Sequence, residues 1–296
     1  MAFMVNIKQP SFFYKFISFG RKDILENGLI RFAPLGSFND PFELEPGVTP
    51  LSRVFLEYIS GFTELEAQRI VLNSEDYLFS AERADNVECY KAKYRSKIKE
   101  YGVLSLSSND KINQLLSVSM PDTNDPRANL LMWSHYANSH KGFVIEFRSD
   151  FIEGVRLEKV EYCTTRDCLT FEDIDDGSFD RVFYKKSPEW CYEQEYRVVL
   201  PLIQASKVSE INGEEFHLFK INKGSINSIT FGCAMGDAEK DIIRSHIRND
   251  SELRHVVLQH AQLDDREFLL TFYSEMAGWT NNPMYGARLV PGQKKM

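Results

Sequence analysis

The chain has 296 residues, of which 35 are Lys or Arg and 43 are Asp or Glu, so its formal charge is -8 at neutral pH. Hydrophobic residues make up 43% and charged residues 26%, which is typical of a folded globular protein and excludes predominant disorder. The sequence has no run of 18 apolar residues, which argues against a membrane-spanning helix, and the acidic balance disfavours a broadly basic nucleic-acid binder.

The cysteine and histidine patterns predict free thiols and no metal site. The five cysteines include no CxxC pair, and the six histidines lack the spacing of zinc ligands. The first residues show no charged leader followed by a long apolar run, so we expect no secretory signal. Together these features favour a cytoplasmic protein with reduced cysteines.

The first third of the chain predicts a helix, a strand and a helical insertion. A short helix over 21–27 should end at Gly28, because glycine suits the left-handed position after a helix. A strand over 29–33 and a loop of turn-forming residues over 37–43 should follow. A helical insertion is expected at about 50–101, where the sequence is charged and favours helix.

The remaining elements predict mixed α+β structure. Asp125 and Pro126 are typical of a helix start, and that helix should continue to Gly142. An amphipathic helix is predicted over 238–247. Strands are predicted over 103–107, 143–147, 155–163, 192–200, 216–221, 226–231, 255–258 and 268–273. We therefore expect a single α+β domain over 1–296, with mixed, mostly antiparallel sheets and flanking helices.

The first candidate segment combines Tyr14 and Lys15 with the loop that carries Asn39 and Asp40. Asp40 precedes a proline, which favours an extended backbone, and both loop side chains can bond to nearby backbone amides. One interpretation is a structural turn that fixes the loop. The other is a rigid loop that presents an amide or a carboxylate to a ligand.

The second candidate segment is the predicted helix that contains Trp133, His135 and Tyr136 and is followed by Lys141. Trp133 and Tyr136 are three residues apart and share a helix face. Such an aromatic pair belongs either to the core or to a ligand platform. His135 is either a core histidine or a polar group that faces a pocket and exchanges a proton.

The third candidate segment contains Glu193, Glu195 and Arg197. On a strand these side chains point to one side, because side chains alternate between faces. The charged face is either a solvated edge or a catalytic face on which Arg197 keeps Glu195 ionised. Two neighbouring carboxylates also suit chemistry at a sugar carbon with an oxocarbenium-like transition state.

Several segments together resemble one bacterial family, known as domain of unknown function 2971. The resemblance covers 13–273, and two of its blocks are specific in combination: MWSHYANSHKG and EWCYEQEYR. The supporting segments are YKF (14–16), SFNDPFE (37–43), SLS (105–107), ITFGCAM (229–235) and FLLTF (268–272). The stretches 43–102 and 109–127 depart from the family pattern.

The layout also resembles that of ADP-ribosyltransferases, which use NAD. This resemblance places Tyr14 and Lys15 on the first motif of those enzymes, Ser105 and Ser107 on the second, and Glu195 or Glu193 on the third. It implies an ADP-ribosyltransferase-like fold and an NAD-consuming transferase or glycohydrolase, such as a defence or toxin effector. A nucleic acid or a protein would be the acceptor.

The resemblance also implies roles for single residues. Glu195 would stabilise the positive charge that develops on the ribose, and Trp133 or Tyr136 would stack on the nicotinamide ring. Ser105 or Asn39 would bond to the carboxamide. The pyrophosphate would meet one of three cations, namely Lys15, Lys141 or Arg197.

Two other functions remain open from the sequence. A non-catalytic sensor of a nucleotide or a phage component would keep both carboxylates in structural ion pairs. A metal-dependent nuclease would use Asp40, Glu193, Glu195 and His135, although Arg197 would then compete with the metal ion.

Overall fold

The computed structural model describes residues 10–34, 36–72, 86–108, 125–211 and 213–275. Contacts divide the chain into two compact units. Unit 1 comprises residues 1–28, 108–153 and 222–296, and unit 2 comprises residues 29–107 and 154–221. Each unit is therefore assembled from segments that alternate along the sequence.

The described residues form helices and strands in the following order. The α-helices are α1 Asp23–Asn27, α2 Arg53–Ile59, α3 Glu64–Leu72, α4 Val87–Ile98, α5 Leu130–Tyr136, α6 Phe171–Asp176 and α7 Asp237–Asn249. The strands are β1 Phe12–Ile17, β2 Leu29–Pro34, β3 Gly47–Thr49, β4 Tyr101–Ser107, β5 Phe143–Arg148, β6 Glu158–Lys159, β7 Glu161–Tyr162, β8 Cys168–Thr170, β9 Lys185–Lys186, β10 Glu195–Pro201, β11 Lys207–Ile211, β12 Glu214–Lys220, β13 Ile226–Phe231, β14 Val257–Leu263 and β15 Leu270–Ser274. Short 3-10 helices lie at Phe19–Arg21, Pro126–Ala128, Asp180–Tyr184, Pro188–Glu193, Leu202–Gln204 and Lys223–Ser225.

This architecture confirms the predicted α+β class. In unit 1 the strand order is β1-β5-β13-β14-β15, and only the β13–β14 pair is parallel. Helix α7 connects those two strands, as a parallel pair requires a crossover. In unit 2 the strands of the large sheet have the order β11-β12-β2-β4-β10-β6, and every pair in this order is antiparallel. The short pairs β3–β8 and β7–β9 are parallel.

Two glycines in unit 1 lie where backbone segments approach closely. A Cβ atom on Gly142 would be 2.1 Å from the Ile17 carbonyl oxygen, and one on Gly232 would be 2.1 Å from that of His140. The backbone N–H of Gly232 donates to the Gly142 carbonyl at 2.9 Å. The turn after β13 therefore packs closely against the segment that precedes β5.

The helix predicted from Asp125 to Gly142 is wrong in extent. Asp125 does cap a 3-10 helix, but Asn129 caps a new helix, α5, which ends at Tyr136. Positive φ angles at 138–140 then turn the chain toward Gly142. The strand predicted over 155–163 is replaced by the two-residue strands β6 and β7.

The predicted insertion at about 50–101 contains helices α2, α3 and α4 of unit 2, with residues 73–85 outside the described part. Helix α4 places Tyr94 and Ile98 in a core with Phe179 and Phe183.

The number of domains in the chain stays a prediction. None of the described helices has the length and apolarity needed to cross a membrane, and all five cysteines are free.

Candidate functional site

A buried network of charged side chains lies in unit 2. Glu195 and Arg197 occupy alternate positions of β10 and share one face, as predicted. Arg197 donates from Nε to Glu195 Oε1 at 2.7 Å and from Nη2 to Oε2 at 3.0 Å. Its Nη1 donates to the Phe183 carbonyl at 2.6 Å, and Nη2 also contacts Glu43. The charged face is therefore buried and is not a solvated edge.

Glu193 reaches the same network by a route that the sequence did not predict. It ends a 3-10 helix, and Gln194 has a left-handed conformation with φ of 47° before β10 begins. The predicted strand over 192–200 is therefore wrong at its start. Lys186 Nζ donates to Glu193 at 2.6 Å and to Glu195 at 3.2 Å, and it lies 3.5 Å from Glu43.

The network contains three carboxylates and two cations. Their side chains are only 0–6% exposed. Burial acts to raise the pKa of Glu195, but the charges of Arg197 and Lys186 outweigh burial and hold that pKa at about 2. Burial raises the pKa of Glu43, against the opposing charge of Arg197. Glu195 is thus kept ionised, whereas Glu43 takes up a proton more readily than an ordinary glutamate does.

The lowered pKa of Glu195 predicts acid sensitivity. Because the unfolded chain binds a proton at this group more readily than the folded chain, the contribution of Glu195 to stability is present above about pH 4.3 and is lost as the pH falls toward about 2. The contribution of Glu43 to stability depends on pH in the opposite way: it is present at low pH and declines as the pH rises through the pKa of Glu43 in the folded protein. Urea unfolding between about pH 5 and about pH 2 should show a smaller loss of stability in Glu195→Gln than in the wild type. Equal losses would contradict this role.

The serines of the predicted second motif lie beside this network. Strand β4 pairs with β10, so that Ser105 is opposite Arg197 and Ser107 is opposite Glu195. The Ser105 hydroxyl donates to the Glu195 side chain, which helps to lower the pKa of Glu195. Ser107 is buried. The predicted second and third motifs are therefore adjacent within unit 2.

A cleft of about 300 Å³ opens next to the network, and both Glu43 and Lys186 line it. Phe42 lines it too; its side chain is 59% exposed, and the Arg166 guanidinium carbon lies 5.3 Å from the ring centroid. The acidic and basic side chains that line the cleft are five carboxyls and three cations: Asp40, Glu43, Glu45, Asp167 and Glu189 against Arg166, Lys185 and Lys186.

The predicted loop residues divide in their roles. Asp40 is buried, and its Oδ1 accepts a hydrogen bond from the Phe42 backbone N–H at 2.8 Å, as in the structural turn that we predicted. Asp40 also lines the cleft, and the presentation of its carboxylate to a ligand stays a prediction. Asn39 is exposed and is not among the residues that line the cleft.

The other predicted site residues belong to unit 1. Tyr14 is buried, and its hydroxyl donates to Glu146 at 2.9 Å; Lys15, next along β1, is half-buried. Trp133 is fully buried, and its Nε1 donates to the Arg127 carbonyl at 2.7 Å, which makes it a core residue. Of the other predicted residues in α5 and the turn after it, Tyr136 is half-buried, and His135 and Lys141 are both exposed.

The sequence did not single out Lys186 or Asp167, and Glu43 was mentioned only as part of the loop. Lys186 belongs to an ordinary Lys-Lys pair, and the carboxyl groups it joins come from two distant stretches of the chain, the loop at Glu43 and residues 193–195. The described residues contain no group of three His, Cys, Asp or Glu side chains arranged to hold a metal ion.

Comparison with known proteins gives one match. Neither the curated proteins nor the solved structures contain a match to this chain. A family model does match, and the matched region includes both MWSHYANSHKG and EWCYEQEYR, the blocks that carry the resemblance. Residues 132–198 are thus similar to the family described as a protein of unknown function (DUF2971), which confirms the predicted family resemblance over this region.

Proposed function

We propose that the cleft of unit 2 binds a small planar cation, and that the nicotinamide end of NAD is the first ligand to test. The observation that carries this proposal is the lining of the cleft, where an exposed aromatic ring lies among an excess of carboxyl groups. The volume of the cleft, about 300 Å³, is at the small end of the range for sites that bind small molecules.

The charges of the cleft favour a cationic ligand. Two of its three cations are already paired: Lys185 with Asp167 at 2.8 Å, and Lys186 with the buried carboxylates. Because carboxyl groups outnumber cations, an incoming positive charge is attracted and an anionic group is repelled.

The aromatic ring favours a planar ligand. Arg166 places a planar cation above the face of Phe42, and this arrangement is stabilised by the ring quadrupole. A pyridinium ring can replace that guanidinium, because it is also flat and positively charged. Arg166 is exposed, so it can move aside without uncovering the core.

Calorimetry with NAD, NADH and ADP-ribose tests this proposal. NADH has an uncharged dihydronicotinamide ring and ADP-ribose lacks the nicotinamide altogether, so we expect NAD to bind with a Kd below about 1 mM and both others to bind at least about tenfold more weakly. Phe42→Ala should weaken NAD binding, whereas Phe268→Ala, which removes a fully exposed ring in unit 1, should not. Equal affinity for NAD and NADH, or no binding of NAD, would overturn the proposal.

A second candidate function is the transfer of ADP-ribose from NAD, or the hydrolysis of NAD. The adjacency of Ser105 and Glu195 favours it, because the resemblance to ADP-ribosyltransferases expects these two motifs to meet. In this reaction the bond between nicotinamide and the ribose breaks, nicotinamide leaves, and water or an acceptor bonds to the sugar carbon and loses a proton. The Glu195 carboxylate would stabilise the positive charge on the ribose.

This candidate requires a rearrangement at Lys186. Both oxygens of Glu195 already accept hydrogen bonds from Arg197 and Lys186, so Lys186 would have to leave Glu195 as the ligand enters. Nicotinamide release from NAD, with and without RNA, DNA and protein acceptors, tests the reaction. We expect release to be lost in Glu195→Gln and kept in Glu193→Gln. If folded wild-type protein releases none with any acceptor, the cleft binds without catalysis.

A further inference from the structure

Asp167 has a buried oxygen atom without a hydrogen-bond partner. It lies just before β8, and its side chain is 9% exposed. Its Oδ1 accepts a hydrogen bond from Lys185 at 2.8 Å, and Arg181 Nε lies 3.7 Å from the same atom. Its Oδ2 has no hydrogen-bond partner among the described residues. Such an atom is costly to bury, because it has lost its hydrogen bonds to water.

This unpartnered oxygen belongs to a residue that lines the cleft of unit 2. The other carboxyl groups of the cleft have partners: Asp40 accepts from the Phe42 backbone, Glu45 accepts from Arg95, and Glu189 accepts from Ser187. Glu43 is paired with Arg197. Among the described residues that line the cleft, Asp167 Oδ2 is thus the one buried side-chain oxygen without a hydrogen-bond partner.

We infer that Asp167 Oδ2 accepts a hydrogen bond from an N–H group of the ligand, so that the ligand of this cleft is a planar cation with an amide or amino group on its ring. This inference rests on the proposed function. A carboxylate only accepts hydrogen bonds, so its complement on the ligand is a donor. A ligand with a carboxylate at the same position is repelled.

Three methylated pyridinium compounds test this inference in calorimetry: the N-methylnicotinamide cation, N-methylpyridinium and N-methylnicotinate. They share a flat ring with a fixed positive charge and differ in the side group, which is an amide, a hydrogen atom or a carboxylate. We expect N-methylnicotinamide to bind at least about tenfold more tightly than N-methylpyridinium, and N-methylnicotinate to bind most weakly.

Asp167→Asn should change this order. Its Oδ1 can still accept from Lys185, which places an N–H donor where Oδ2 was. We therefore expect the advantage of the amide compound over N-methylpyridinium to shrink and N-methylnicotinate to gain about tenfold. Asp40→Asn is the matched control: it removes one negative charge from the same cleft and should weaken N-methylpyridinium and N-methylnicotinamide by a similar factor, leaving their ratio unchanged.

The outcomes separate this inference from the proposed function. If none of the three compounds binds to the wild-type protein, the proposal of a planar cation fails, and the inference fails with it. If all three bind equally, or if Asp167→Asn leaves their order unchanged, the inference is overturned while the binding of planar cations stands.

Discussion

Arg197→Met is expected to lower the free energy of unfolding by about 3–5 kcal/mol, because it leaves buried carboxylates without their main cation. Arg197 has no exposed side-chain surface, and it pairs with both Glu195 and Glu43. Burial in a low-dielectric interior makes an unpaired carboxylate far more costly than it is at the surface. Urea or guanidinium unfolding measures the change.

The control for this prediction is Arg156→Met. Arg156 forms a 2.7 Å ion pair with Glu158, but its side chain is 78% exposed, so its loss should cost less than about 1 kcal/mol. The double variant Glu195→Gln with Arg197→Met should be more stable than Arg197→Met alone, because it removes one of the buried carboxylates that have lost their cation. If Arg197→Met costs no more than the control, the buried network does not stabilise unit 2.

Gly232→Ala is expected to lower the free energy of unfolding by about 3 kcal/mol. The new Cβ would lie 2.1 Å from the His140 carbonyl oxygen and 2.9 Å from that of Gly142. Both contacts are with backbone atoms, which cannot rotate away as a side chain does. The turn after β13 therefore has to separate from the segment that follows α5.

Gly20→Ala is the matched control in the same unit, since a Cβ there would meet nothing within 4 Å. It should change stability by less than about 1 kcal/mol. Thermal or denaturant unfolding of both variants provides the comparison. Similar stability in the two would mean that the turn at Gly232 relaxes freely.

The sequence predicted those parts of the fold and site that depend on local patterns. Alternation along β10 correctly placed Glu195 and Arg197 on one face, and Gly28 ends α1 in the predicted left-handed conformation. These features depend on side-chain periodicity and on glycine, which act within a few residues.

The features that the sequence missed depend on contacts between distant segments. A left-handed conformation is uncommon for a residue such as Gln194, and three positive φ angles in succession, as at 138–140, are uncommon for any residues other than glycine, so local sequence patterns do not predict them. Lys186 and Asp167 become notable only through their partners and the cleft around them. Whether Trp133 packs in the core or forms a platform was open from its helix alone, and its burial decides for the core.

The strand order of unit 1 has a consequence for protein synthesis. Strand β1 pairs with β5, and the bonded residues Tyr14 and Glu146 are 132 positions apart. At about 5–20 residues per second, the ribosome needs on the order of ten seconds to add the missing partner. During that time the apolar strand β1 has no strand partner in its own unit, so we expect chaperones that bind exposed apolar segments to hold it until β5 emerges.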